Sequence, residues 1–261
     1  MLGSIRDRDL SRRIWERKSR FFDKVDDLTV IGLSKWLADE ASRSSLFTGR
    51  RVVNLPNPID CSVYRPIDRT VARELWGISP DAKVVAFGAM SATSDPRKGY
   101  DLLVDALRQL SVPGLELLVF GASASTGGVG DDLPFPVHYT GRLHDDVSLV
   151  TLYNAADVMV VPSRQENLSN AIMESLSCGT PVVGFDIGGN GDMIDHQTNG
   201  YLAQAYERED LATGIRWVVE ASGGAESLRA AAREKVLREF DYPVVAPRYE
   251  GLYRSLLNEQ Q

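Results

Sequence analysis

The sequence predicts an α/β fold, a doubly wound parallel sheet followed by C-terminal helices. Three observations predict it: short runs rich in valine, isoleucine and leucine recur along the 261 residues, amphipathic helical stretches stand between them, and several of the runs are apolar on both faces. A strand apolar on both faces must be covered on both sides, which is the condition met by a parallel sheet built from βαβ units.

The chain opens with "MLGSIRDRDLSRRIWERKSRFF", which has no apolar run that could act as a signal peptide or membrane span. Arg6, Arg8, Arg12, Arg13, Arg17, Lys18, Arg20 and Lys24 make it basic, diluted by Asp7, Asp9, Glu16 and Asp23. It reads as a solvated, charged helix face; the alternative is a segment lying on an anionic membrane surface. "LTVIG" (28–32) is the first strand, 34–46 the next helix and "RRVVNLP" (50–56) the next β run. "VVNLPNPIDCSVYRP" (52–66) carries Pro56, Pro58 and Pro66, each of which turns its predecessor away from helix, so this stretch reads as a linker. What lies before it is too little for a layered domain. Residues 1–60 are therefore expected to be the tail of a domain lying upstream, with a hinge, and residues 61–240 a complete domain.

Within that domain helices are expected at 68–76, 99–110, 145–154 and 168–178, and strands at "KVVAFGA" (83–89), "LELLVFG" (115–121), "PVHYTG" (136–141), "DVMVVPS" (157–163) and "TPVVGFD" (180–186). "GASASTGGVGDDLP" (121–134) is a loop, and "FDIGGNGDMI" (185–194) a glycine-rich turn before a short helix. Helical stretches at about 208–221, 225–239 and 243–258 close the chain.

Several function classes are excluded or weakened by what the sequence contains. A net charge of −7 gives no general surface for a polyanion, so nucleic acid is not an expected partner. Cys61 and Cys178 are far apart and lack metal-type spacing, which fits reduced thiols in a cytoplasmic protein. His138, His144 and His196 form no metal-ligand cluster, and no Ser/His/Asp or Cys/His triad is visible. Neither GxGxxG nor GxxxxGK[ST] occurs. The pairs Asp26/Asp27, Asp131/Asp132 and Asp145/Asp146 read as loop or helix-start residues rather than Mg²⁺ ligands.

In an open parallel sheet, ligands bind beyond the carboxyl ends of the strands, beside helix N-termini that favour anions. After the strand ending at Gly88 comes "AMSATSDPRKGYDLL", in which Ser91, Thr93 and Ser94 precede Arg97 and Lys98 at a helix entrance. This is either a diphosphate cradle or a loop with two exposed cations. After 157–163 comes "RQENLSNAIMESLSCG", which holds Glu166 and Glu174 with seven residues between them. Asn167 or Ser169 is the expected N-cap, and Gly179 the residue just past the helix. Leu168, Ile172, Ser175 and Leu176 share one helical face, with Glu174 away from it. Glu166 would sit beside the N–H groups of Asn167, Leu168 and Ser169. Two carboxylates so spaced suit two hydroxyl-bearing groups of one elongated ligand, such as a sugar and a ribose; a solvated surface is the alternative.

The order of these motifs resembles a known family. "FGAMSATSDPRKGYDLLVDAL", "VFG", "YTGRLHDDVSLVTLYNAADVMVVPSRQENLSNAIMESLSCGTPVVGFDIGGNGDMI" and "NGYLA" look like the C-terminal, donor-binding half of retaining nucleotide-sugar glycosyltransferases of the Rossmann-like GT-B fold, glycosyl transferases group 1 (family 4). "TVIGLSKWLADEASRSSLFTGRRVVNLPNPIDCSVYRP" resembles the family's crossing from its N-terminal domain, and the coverage runs from about residue 28 to the end. The resemblance implies that Glu166 contacts donor-sugar hydroxyls, Glu174 the ribose hydroxyls and Lys98 the diphosphate. It also implies that the amides of Asn167, Leu168 and Ser169 approach sugar and phosphate, and that Gly141, Arg142 and Leu143 border the base. The family usually places an arginine soon after the glycine matching Gly88; here Ala89 and Met90 follow, and Arg97 is the candidate substitute.

Cations stabilising a leaving diphosphate would supply the rate acceleration, so no metal or separate cofactor is expected beside the nucleotide-sugar substrate. The resemblance further implies polysaccharide or glycolipid synthesis in the cytoplasm, at most peripheral to the inner face of the membrane. Residues 241–261 would be the helix that crosses back to the N-terminal domain. Since that acceptor-holding domain is almost wholly missing from the sequence, the expected partner is an N-terminal half supplied in trans or a second copy covering the cut face. The alternative is a nucleotide-sugar binding or partner module without turnover.

Overall fold

The computed structural model describes residues 9–88, 95–121, 133–221 and 224–259. The chain forms two compact units, Met1–Pro56 and Asn57–Gln261.

The first unit contains α1 (Leu10–Phe22), β1 (Thr29–Gly32), α2 (Lys35–Arg43), a 3-10 turn at Ser45–Phe47 and β2 (Arg51–Asn54). Asp9 caps α1 by accepting from the Arg12 amide, and none of the helix is buried. Its charged face is solvated as expected, yet Leu10, Trp15 and Phe21 are exposed as well. β1 and β2 pair in parallel, Thr29 opposite Arg51 and Gly32 opposite Asn54. Gly32 allows α2 to press on the strand, because a Cβ there would lie 2.4 Å from the Ala38 nitrogen.

The second unit is built on one parallel sheet of β3 (Lys83–Gly88), β4 (Leu115–Phe120), β5 (Val137–Gly141), β6 (Val158–Val161), β7 (Val182–Phe185) and β8 (Gly200–Ala203). The order is β5-β4-β3-β6-β7-β8. Val84, Val85 and Ala86 in β3 and Val158, Met159 and Val160 in β6 are inaccessible, so the central strands are covered on both faces as their continuous apolar runs require. The helices are α3 (Arg69–Leu75), α4 (Tyr100–Leu107), α5 (Asp146–Ala155), α6 (Asn170–Ser177), α7 (Asn190–Met193), α8 (Arg208–Val219), α9 (Ala225–Glu239) and α10 (Tyr242–Asn258). Leu103 and Leu107 of α4 and Leu211 and Ile215 of α8 join β3, β4, β6 and β7 in one apolar core.

The fold is the doubly wound one expected, with one strand more. β8 escapes the sequence reading because it is four residues long, begins with glycine and has no β-branched residue. Its glycine is a packing requirement: a Cβ on Gly200 would lie 2.1 Å from the Val182 carbonyl oxygen.

Residues 57–66 are irregular but tied down. The Arg233 guanidinium donates to the carbonyls of Cys61 and Tyr64 at 2.8 and 2.7 Å and to Ser177 O at 2.7 Å. Ile59 N donates to Phe240 O just before α10. A second anchor is Asp157 at the foot of β6, whose carboxylate accepts from Arg69, from Arg73 Nη2 at 2.8 Å and from Val84 N at 2.7 Å. Arg73 is buried, and its Nε donates to Ala155 O. Removing the carboxylate would strand a buried guanidinium and an orphaned strand amide. Asp157→Ala is therefore expected to cost about 3–5 kcal/mol, read by urea unfolding; a loss under about 1 kcal/mol would show that Asp157 is not an anchor.

Candidate functional site

Strand order reverses between β3 and β6, and their carboxyl ends diverge into loops that flank a crevice. That crevice is a cleft of about 670 Å³, with Gly88, Lys98, Phe120, Arg142, Glu166 and Glu174 among its walls. Gly99 joins the loops after β3 and β6. It precedes α4 with φ +68°, and a Cβ would fall 2.0 Å from the Pro162 carbonyl oxygen. Only a residue without a side chain can hold that backbone there. Arg164 completes the junction: its amide donates to Arg97 O at 2.7 Å, and its guanidinium grips Asp101 at 2.6 and 2.9 Å.

With the loops fixed, Lys98 Nζ lies 3.2 Å from Glu166 Oε2 and both side chains are largely shielded. Two residues 68 positions apart in sequence therefore form one wall of the cleft. Arg97 also lines it, but its guanidinium is engaged by Asp95, with contacts of 2.7 Å from Nη2 and 3.1 Å from Nε. Those hydrogen bonds hold the Asp95 carboxyl down at about 2. The hydroxyls of Ser91, Thr93 and Ser94, and Ala89 and Met90, lie outside the described residues.

The loop after β6 differs in one respect from expectation. α6 starts at Asn170, so Asn167, Leu168 and Ser169 precede the helix, and its first free N–H groups belong to Asn170, Ala171 and Ile172. Ser169 is the capping residue, without a side-chain bond. Ser169 is one of the two expected caps; the free amides lie further along because the other, Asn167, is not the one used. Leu168, Ser169, Asn170 and Ala171 line the cleft; Asn167 is not among its walls. The far end of α6 is as expected: Gly179 is left-handed at φ +76°, its amide bonds Leu176 O, and the Thr180 amide bonds Ser175 O.

Ile172, Ser175 and Leu176 are buried, and Glu174 projects from another face of α6 into the cleft. Its Oε2 accepts a 2.8 Å hydrogen bond from the Tyr153 hydroxyl. Burial pushes the Glu174 carboxyl up, the Tyr153 bond opposes this, and the charge of Asp146 adds to the rise. On the opposite wall, Arg142 and Leu143 follow β5. Gly141 itself closes the strand with φ +72° and does not line the cleft. Gly88 makes room for the ring of Phe120, whose atoms would be 2.4 Å from a Cβ. Among the described residues no group of three His, Cys, Asp or Glu side chains could hold a metal ion, and no helix is long and apolar enough to cross a membrane. Asp145 caps α5 by accepting from Ser148 N at 2.7 Å.

A sequence profile described as Glycosyl transferases group 1 matches residues 81–221, which include every residue of the cleft. The chain belongs to this family. A D-inositol 3-phosphate glycosyltransferase of Segniliparus rotundus is 30% identical to this chain across 78% of it and 46% of the relative, and one of Geodermatophilus obscurus is 32% identical across 70% and 43%. The chain thus spans less than half the length of these curated relatives. Sucrose-phosphate synthase from Thermosynechococcus elongatus superposes with a TM-score of 0.79 at 25% identity, over 98% of this chain and 64% of that one. Anabaena HepE, solved with UDP and glucose, superposes with a TM-score of 0.76 at 21% identity, over 94% and 68%. These likenesses agree with the GT-B resemblance of the motifs.

Phe120 and Tyr153 are cleft residues that sequence reasoning missed. Each sits in an apolar run where an aromatic ring reads as core. Glu174 also gives a pH test. Its carboxyl is raised in the folded chain above the ordinary 4.5, so the protonated form favours folding; that contribution is present below 4.5 and lost as pH rises through the raised value. Glu174→Gln is therefore expected to raise the melting temperature at pH 7 and to change it little at pH 4. An equal effect at both values would contradict the raised carboxyl.

Proposed function

We propose that this chain is the donor-binding half of a retaining glycosyltransferase that takes a sugar from a nucleoside diphosphate, with UDP-sugars the first candidates. The observation that carries this reading is the convergence of Lys98, Glu166 and Glu174 on one cleft at the order reversal of the sheet. An elongated donor would lie along the cleft with its ribose at Glu174, its diphosphate at Lys98 and its sugar at Glu166. Arg142 and Leu143 would border the base. UDP in the Anabaena relative's structure supports trying that nucleotide first.

Carboxylates suit this arrangement because each accepts hydroxyl protons, whereas the diphosphate needs cations. Charge developing on the leaving diphosphate would be stabilised by Lys98 and by the amides of Asn170 and Ala171, with Arg97 joining if it exchanges Asp95 for phosphate. No metal is needed for that step. Transfer itself would also use an acceptor-holding domain. Polysaccharide or glycolipid assembly, cytoplasmic and at most peripheral to the membrane, is the setting that the family resemblance supports.

Calorimetric titration with UDP, GDP, ADP and their common sugar conjugates tests the reading. Saturable binding of one nucleotide is expected, and Lys98→Met and Glu174→Ala should each weaken it by about 1–3 kcal/mol. Binding that neither substitution weakens would place the ligand elsewhere, and binding of none of these ligands would remove the proposal.

A further inference from the structure

Tyr153 is a buried phenol in the wall of the cleft. Its ring is 1% exposed and packs edge-on against Phe120 at 5.8 Å between centroids. Its backbone is pinned as well, the carbonyl accepting from Thr180 Oγ1 at 2.7 Å. Only the hydroxyl reaches a ligand-facing group, Glu174 Oε2, at 2.8 Å. A hydrogen bond from a phenol fixed by ring packing and by its own helix leaves that carboxylate little rotational freedom, and leaves Oε1 as the oxygen with no protein bond described.

We propose that Tyr153 is a positioning residue: its hydroxyl occupies one oxygen of Glu174 and thereby aims the other at the vicinal hydroxyls of the bound ribose. This rests on the donor-site reading above and deepens it. A carboxylate accepts from both hydroxyls of a ribose only in a narrow range of orientations. The bond also favours the accepting, ionised form of Glu174, in opposition to the larger upward push of burial and the charge of Asp146. Tyr64 is not an alternative holder, because its hydroxyl is given to Asp146 Oδ1 at 2.8 Å.

The inference separates from a merely structural role through the ligand. UDP and 2′,3′-dideoxy-UDP are titrated calorimetrically against the unaltered chain and against Tyr153→Phe, which keeps the ring and its contact with Phe120. The unaltered chain is expected to prefer UDP by at least tenfold. In Tyr153→Phe, UDP affinity should fall about tenfold while dideoxy-UDP affinity stays within about twofold, so the preference collapses. Equal weakening of both ligands would mean that the tyrosine only supports the fold. A preference retained in full would show that Glu174 needs no aiming. If the unaltered chain binds UDP without preferring it, or binds neither, the ribose assignment fails first and the positioning role with it.

Discussion

The approach of Gly99 to the Pro162 carbonyl is the constraint on which the site depends. β3 and β6 are neighbours in the sheet, but the loops that leave them lead to α4 and α6 on different paths. Without a glycine at the first of these, backbone could not meet backbone, and Lys98 and Glu166 would stand on separate loops. The Arg164 contacts with Arg97 and Asp101 then hold the junction from the outside. Tyr206 adds to it by donating to Arg164 O at 3.0 Å. At the opposite, N-terminal end of these strands, Asp157 ties α3 to the opening of β3.

The electrostatics of the cleft are those of paired charges with different fates. Lys98 faces Glu166 at 3.2 Å, so neither charge is left alone in a partly desolvated wall. Arg97 is satisfied instead by Asp95 in an exposed pair, and exposed pairs are weakly held. A diphosphate would therefore find one cation embedded in the wall and another able to exchange partners at the rim. Glu174 differs from both, being balanced by a neutral phenol rather than a cation. That leaves it an acceptor for hydroxyls without an ammonium competing for the same oxygens.

Most of the fold was legible because its strands are β-branched runs buried on two faces, a pattern that helices do not produce over such short lengths. β8 was not, since its glycine is chosen for a contact with Val182 that only the assembled sheet reveals. In the site, the spacing of Glu166 and Glu174 and the Arg97–Lys98 pair were legible as residue types in loops after strands, and the resemblance gave them roles. The free amides at the start of α6 are those of Asn170 to Ile172 rather than Asn167 to Ser169, because of two possible capping residues Ser169 is the one that opens the helix. The engagement of Arg97 by Asp95 and the bond from Tyr153 to Glu174 lay beyond sequence reasoning. Asp95 stands only two residues from Arg97, but the side-chain geometry that closes the pair is not encoded in spacing, and Tyr153 stands 21 residues from Glu174 on another helix.

A crystal structure of the chain soaked with UDP tests the central claim most directly, because it shows where each part of the ligand lies. The account predicts density along the cleft, with ribose hydroxyls within hydrogen-bond distance of Glu174 and the diphosphate beside Lys98 and the start of α6. A nucleotide bound in the reverse direction, or away from the order reversal between β3 and β6, would contradict it.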